Sequence, residues 1–339
     1  MTGGKQNPKI LVKAVNWVGD AVLMTPALRG LRKKFPESYI CLLVNSWVKD
    51  IFKENKDINE IIVYDKNNTK GLGKKIAFLN ELRKKKFDIG IAVQPHSYEA
   101  ALLLFFGGAR ERIGYSHYLR DLFLTRRIKL ADGVKHDVDV FYDVFGLPVV
   151  SREDKKLILN TGQEAEKWAE GFLREHGIKS GDKIVGLNPG AFRQAKRWHE
   201  ERYAELSDEI AVRLKCRVIV FQGPGDEEVV VRVCAAAKEK LIVAETELLQ
   251  LAALAKRCKL VVSNDTGPAH ICAAVGTPLI VIAGTSDPRR IHPWGEGHIT
   301  INKLLSCSPC TVKNCDSHAC MKLITVKEVF DAVREKLKE

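Results

Sequence analysis

Four loops of this chain hold residue types suited to a charged ligand. The first is Trp17-Val18-Gly19-Asp20, between a strand-like run and a helix-like one. Gly19 permits an unusual backbone angle or the close approach of a ligand. Asp20 has two readings that do not exclude each other: a carboxylate that takes a proton, or the N-cap of the helix, a position Asp favours. The second loop, residues 188–198, gathers Arg193, Lys196 and Arg197 with Gly190 and Trp198. Cations beside a helix start suit a phosphate; the alternative is a solvated loop over a buried tryptophan. The third, Gln222-Gly223-Pro224-Gly225-Asp226-Glu227-Glu228, offers carboxylates after a strand. They can take ribose hydroxyls or only complement a helix dipole. The fourth is Ser263-Asn264-Asp265-Thr266-Gly267-Pro268-Ala269-His270. Proline is well tolerated where a helix opens. The N–H groups of Thr266, Gly267 and Ala269 are therefore expected to meet an anion at the positive helix end, with His270 in the same turn.

Such loops need a frame to hold them. Strand-like runs at 10–15, 40–44, 60–64 and 89–93 alternate with helix-like runs at 21–35 and 75–86, the first of these stopped by Pro36. Residues 110–130 read as irregular and basic, and 138–145 as helical. Near residue 160 the alternation starts afresh. Strands are expected at 184–187, 218–221, 241–243, 260–263 and 279–283, and helices at 164–176, 201–214, 227–238, 247–255, 268–275 and 326–337. The pattern predicts the α/β class, with parallel sheets covered on both faces. Two such halves predict two Rossmann-like domains, 1–160 and 161–325, with a last helix at 326–339 that can pack back on the N-terminal domain. Ligands of open parallel sheets bind beyond the carboxyl ends of the strands, which is where all four loops fall.

The 339 residues are 45% apolar and 28% charged, the composition of a globular protein with room for two domains. No apolar run reaches 18 residues, and the polar start MTGGKQNPKI does not read as a signal peptide, so a cytoplasmic location is expected. The net charge is +12, and it is uneven: residues 1–150 carry 25 Lys/Arg against 16 Asp/Glu, the remainder 29 against 26. An anionic partner is expected for the first half. The GxxxxGK[ST], HExxH and GxSxG patterns are missing, and no GxGxxG follows the first strand. P-loop nucleotide hydrolysis, zinc proteolysis, serine hydrolysis and nicotinamide redox chemistry thus lack support. Nucleic acid is compatible with the charge but has no motif behind it. Four of the nine cysteines crowd into Cys307, Cys310, Cys315 and Cys320. In a reducing compartment that spacing suits a structural zinc ion or iron–sulfur cluster; disulfides and four reduced thiols are the alternatives.

Taken together, WVGDAVLMTPALRGLRKKFP, NPGAFRQAKRW and SNDTGPAHICAAVGTPLIVIAGTSD resemble glycosyltransferase family 9, most of all its ADP-heptose:lipopolysaccharide heptosyltransferases of the heptosyltransferase II kind. The resemblance covers nearly the whole chain. It implies the GT-B architecture, two Rossmann-like domains facing a central cleft, and catalysis without a metal or other cofactor. The N-terminal domain would take the lipopolysaccharide inner core, at the inner membrane surface, and the C-terminal domain ADP-L-glycero-β-D-manno-heptose. By position, Asp20 matches the family's general base and Lys196 the lysine on the donor phosphates. Glu227 matches a ribose-holding glutamate, and Asp265 an aspartate near donor sugar and phosphate. Thr266, Gly267 and His270 fall at the diphosphate. The implied reaction is an inverting transfer, adding the second heptose. The alternatives are another nucleotide sugar or acceptor within the family, and a nucleotide-sugar binding module without turnover. Residues 110–135, with Arg110, Arg112, Arg120, Arg126 and Arg127, are the expected contact for an anionic acceptor. No oligomeric state is assigned.

Overall fold

The computed structural model describes residues 7–66, 69–148 and 151–338. They fall into two units that divide between Ile158 and Leu159. The first unit is built on β1 (Ile10–Lys13), β2 (Ile40–Val44), β3 (Glu60–Val63), β4 (Ile89–Ala92), β5 (Glu111–Tyr115) and β6 (Arg126–Ile128). The second is built on β7 (Ile184–Asn188), β8 (Arg217–Gln222), β9 (Ile242–Glu245), β10 (Leu260–Asn264), β11 (Leu279–Ile282) and β12 (Ile299–Ile301). All pairings are parallel. The strand orders are β3-β2-β1-β4-β5-β6 and β12-β11-β10-β7-β8-β9. Both are doubly wound Rossmann-like sheets whose order reverses once, between β1 and β4 and between β7 and β10. At such a switch point the following loops diverge to opposite faces and leave a crevice.

Sequence explains the layering. The central strands are unbroken apolar runs, as strands covered on both faces must be; Ile10-Leu11-Val12 and Ile40-Cys41-Leu42-Leu43-Val44 are all buried. In the second unit, alternate residues of the central strands (Val185, Leu187, Val218, Val220, Leu260, Val262, Ile280, Ile282) form one core with the helices Glu200–Leu214 and Val326–Lys336. The last helix, expected as a candidate to pack on the N-terminal domain, belongs to this core through Val326, Val329, Phe330 and Val333. Those four residues lie on one face at helical spacing. Among the described residues no helix is long and apolar enough to cross a membrane.

Two expectations need correction. The helix expected at 21–35 is two helices, Val18–Leu23 and Thr25–Lys34. Pro26 lacks an N–H and cannot continue the first; the Thr25 hydroxyl instead donates to the Val22 carbonyl at 2.7 Å. Residues 110–130 are not irregular: they hold β5, a 3-10 turn at Tyr118–Phe123, and β6. These strands are short and charged, so they carry little apolar signal. The helix Tyr98–Phe106, apolar almost all round, and the three-residue β12 were not anticipated.

Candidate active site

In the second unit, three loops are locked together at the carboxyl ends of β7, β10 and β11. Asn188 ends β7 and Asn264 ends β10, so the two amides sit on either side of the switch point. Asn188 Nδ2 donates to Ser263 Oγ at 3.0 Å and to Thr266 Oγ1 at 3.3 Å. Asn264 Nδ2 donates to the Pro189 carbonyl at 2.7 Å, while Asn264 Oδ1 accepts from Trp198 N at 3.0 Å. The Tyr203 hydroxyl, buried beneath, reaches the Asn188 carbonyl and Asn264 Oδ1, both at 3.2 Å. Buried amides require partners, and here each amide bonds the neighbouring loop. The 188–198 segment is thereby tied to the Asp265 loop, and Trp198 proves to be core, fully buried.

This locking brings together Lys196 and Asp265. Lys196 Nζ lies 2.7 Å from Asp265 Oδ2 and 2.9 Å from the Asp265 carbonyl. The two side chains are 17% and 7% exposed, so the pair is largely withdrawn from solvent. Ser286, from the loop after β11, donates its hydroxyl to the same carboxylate oxygen. An ammonium has three donors, and these two bonds account for two of them. Thr266 precedes the helix Gly267–Ala274 at its N-cap, and Pro268 is the second helical residue. The Ala269 N–H bonds the Thr266 carbonyl at 3.1 Å, which removes it from the donors expected to meet an anion. His270 is buried in the first turn rather than displayed.

The third loop rearranges the expected roles of its acids. Glu227 is exposed; its carboxylate accepts from Gly225 N at 3.1 Å, and hydrogen bonds from its own backbone N–H and that of Gly225 hold its pKa low. Glu228 pairs with Arg232 at 2.5 Å. Asp226 is the half-buried one, with its carboxylate packed against Gly190 and its pKa raised by burial. The sequence offers three adjacent acids, of which the resemblance points to Glu227, and Ser286 lies within SNDTGPAHICAAVGTPLIVIAGTSD with no role attached to it.

In the first unit, Asp20 is not the N-cap. Trp17 holds that position, and Asp20 is the third residue of the helix Val18–Leu23, half-buried. Its loop is fixed through Asn16, at the switch point between β1 and β4. Asn16 Oδ1 accepts from Asn45 Nδ2 at 2.8 Å, and Asn16 Nδ2 donates to Gln94 Oε1 at 3.2 Å. Trp47 Nε1 donates to the Asn16 carbonyl at 2.6 Å. Beneath it Lys13 is buried, bonded to the Ala14 carbonyl at 2.8 Å and to Asn16 Oδ1 at 3.3 Å. Burial lowers its pKa to about 8, against the pull of Glu99 and with a smaller push from Lys66.

The five arginines separate into two groups. Arg120 is fully buried, donating to the Ala92, Gln94 and Pro95 carbonyls. Arg112 bonds the Phe123, Ala109 and Arg110 carbonyls. Both brace the fold: Arg120 is shut away from solvent, and Arg112 gives its Nε and Nη1 to carbonyls. Arg110 and Arg127 are exposed and Arg126 half-exposed.

The four cysteines flank one segment. Ser308 Oγ donates to the Gly284 carbonyl and Cys310 N to the Thr285 carbonyl, each at 2.8 Å. A Cβ on Gly284 would stand 2.7 Å from Cys320 Sγ. His318 N donates to Cys315 Sγ at 3.4 Å, and Ala195 N to the Lys313 carbonyl at 3.0 Å. The loop therefore braces both the Lys196 segment and the Ser286 segment by main-chain bonds. Among the described residues, no three His, Cys, Asp or Glu side chains are placed to hold a metal ion. Burial raises the Cys320 pKa, and Cys310, Cys307 and Cys315 lie near enough to add to that rise, so the four thiols gather around one place.

The chain matches the sequence profile of glycosyltransferase family 9 (heptosyltransferase) over residues 76–320. It is 27% identical to the lipopolysaccharide heptosyltransferase 2 of Salmonella typhimurium over 83% of this chain and 84% of that one. It superposes on a family 9 glycosyltransferase of Veillonella parvula with a TM-score of 0.83 and 28% identity, covering 97% of each chain. With the E. coli ADP-heptose lipopolysaccharide heptosyltransferase II it shares the fold, at a TM-score of 0.80 and 24% identity, over 97% of this chain and 98% of that one. Two Rossmann-like sheets in succession are the GT-B-like plan common to these structures.

Proposed function

The chain belongs to glycosyltransferase family 9, and from that premise we propose that it moves L-glycero-D-manno-heptose from ADP-heptose to the inner core of lipopolysaccharide, adding the second heptose. The observation that carries this reading is the Lys196–Asp265–Ser286 cluster at the switch point of the second sheet. Its third ammonium donor and the start of the helix Gly267–Ala274 suit a diphosphate. Thr266 and Gly267 lie at that start, and His270 supports the turn from within. Asp226 takes the ribose side in preference to Glu227, since its carboxylate packs against the Lys196 loop and that of Glu227 points to solvent.

Asp20 is the base. It accepts the proton of an acceptor heptose hydroxyl as that oxygen bonds the anomeric carbon of the donor. The bond from that carbon to ADP breaks on the opposite face, so the configuration inverts. Charge builds on the sugar as in an oxocarbenium ion, and negative charge builds on ADP. Lys196 and the helix start meet that charge in fixed positions, where such groups act most strongly. The reaction is proposed without a metal, and the acceptor phosphates are assigned to Arg110, Arg126 and Arg127.

The test is ADP release from ADP-heptose, with and without a lipid A core ending in one heptose. Acceptor-dependent release is expected. Asp20→Asn should bind donor with unchanged affinity and lose turnover by about 10² to 10⁴, the usual contribution of a general base. Full turnover in that variant excludes Asp20 as the base. Donor binding without release on this acceptor points to another acceptor. A lack of donor binding points to another nucleotide sugar.

A further inference from the structure

The helix Tyr98–Phe106 and the 3-10 turn Tyr118–Phe123 together display apolar side chains that the fold leaves outside. Tyr118, Leu119 and Leu122 are 82%, 70% and 71% exposed, and Phe105 and Phe106 each 41%. They form one ridge. The Phe105 ring lies 5.1 Å from that of Phe106 and 5.5 Å from that of Phe123, which closes the turn. In a 3-10 helix residues three apart eclipse one another, so Leu119 and Leu122 project on the same side. Large apolar side chains gathered on a soluble surface mark an interaction site.

The turn that carries the ridge is anchored. Arg120, between Leu119 and Asp121, is buried on the carbonyls at the end of β4. Asp121 is drawn into its own turn, accepting from Ser116 Oγ at 2.6 Å and His117 N at 2.8 Å. The charged residues of the turn are thus held by the fold while its leucines are displayed. Arg112 stacks on the Phe105 ring at 5.2 Å and Arg127 acts on Asp121 of the turn, while Arg110 and Lys129 are exposed in the same half of the chain, the one with the positive excess. Apolar side chains set among cations match a bilayer with anionic headgroups, which attracts basic residues to within a Debye length and accepts apolar groups at its interface. A second copy of this chain would bring like charges together.

We infer that this ridge docks the N-terminal unit on an anionic membrane surface. The inference extends the proposed function, whose acceptor is carried by a lipid, but its test does not depend on heptose transfer. The full chain is sedimented with vesicles of phosphatidylglycerol and phosphatidylethanolamine, and with phosphatidylcholine vesicles. Binding to the anionic vesicles is expected, weakened at least tenfold by L119S/L122S and by raised salt. Should that variant melt early, Tyr118→Trp in the parent chain replaces it, and a blue shift of its fluorescence on adding anionic vesicles is expected. Equal binding by parent and double variant, no binding, or a fluorescence that does not move would overturn the inference. So would a dimer of the parent chain that the double variant abolishes, which assigns the ridge to a second copy. ADP release with detergent-dispersed acceptor, run on the same samples, reports separately on the proposed function.

Discussion

Lys13 is a cation walled in at the end of a central strand, directly under the loop that presents Asp20. Burial brings its pKa from the ordinary 10.5 to about 8, Glu99 opposing and Lys66 assisting. Between those two values the unfolded chain still holds the proton that the folded chain has released. Stability therefore rises with pH across that window. Lys13→Met should remove the rise, read as the change in urea midpoint between pH 8 and pH 10 in variant and parent. Identical slopes would mean that the lysine keeps its ordinary pKa in the folded chain. The same reasoning on a single side chain separates Asp226 from Glu227. Both are acids at a helix start, and only the half-buried one can present a carboxylate to the neighbouring loop.

The loops act as coupled elements, and Gly190 shows how tightly. A Cβ at that position falls on the Asp226 carboxylate. Gly190→Ala should therefore cost about 1–3 kcal/mol, the usual range for overpacking, and Asp226→Ala should relieve most of it in the double variant. Additive thermal shifts would show that the two do not touch. The cysteine loop makes the complementary case. Hydrogen bonds to the main chain of Gly284, Thr285 and Ala195 already hold it, so Cys307→Ser and Cys315→Ser, both exposed, should change stability by less than about 0.5 kcal/mol. One zinc or iron per purified chain, lost with Cys307→Ser, would instead assign the cluster to a metal, as its spacing suggests. The buried strands and the long amphipathic helices were legible from their apolar periodicity. The Asp265 loop was legible from its strand, glycine and proline. Charged edge strands such as Arg126–Ile128, and the inward turn of Arg120, were not, because both are decided by tertiary hydrogen bonds that leave no periodic trace.

At the level of the whole molecule, charge is distributed by unit. The excess of nine positive charges in residues 1–150 should steer an anionic acceptor toward that unit. Raising ionic strength from about 20 to 300 mM shortens the screening length severalfold. It is expected to lower kcat/KM for the acceptor by about tenfold, with the donor KM moving little. An equal loss for both substrates would place the effect in the second unit. The order of synthesis has a consequence of its own. Domains emerge from the ribosome N-terminal end first and fold as units, so the first sheet can close while the second is still being made. The second cannot. Trp198 donates its indole N–H to the Ile324 carbonyl at 3.0 Å, and the helix Val326–Lys336 fills the core beneath β7 and β10. The segment bearing Lys196 must wait for residues more than a hundred positions downstream before its floor exists. A ribosome-bound chain stalled before Ile324 would thus carry a finished Asp20 loop and no floor under Lys196, and the proposed nucleotide site would arrive late and all at once.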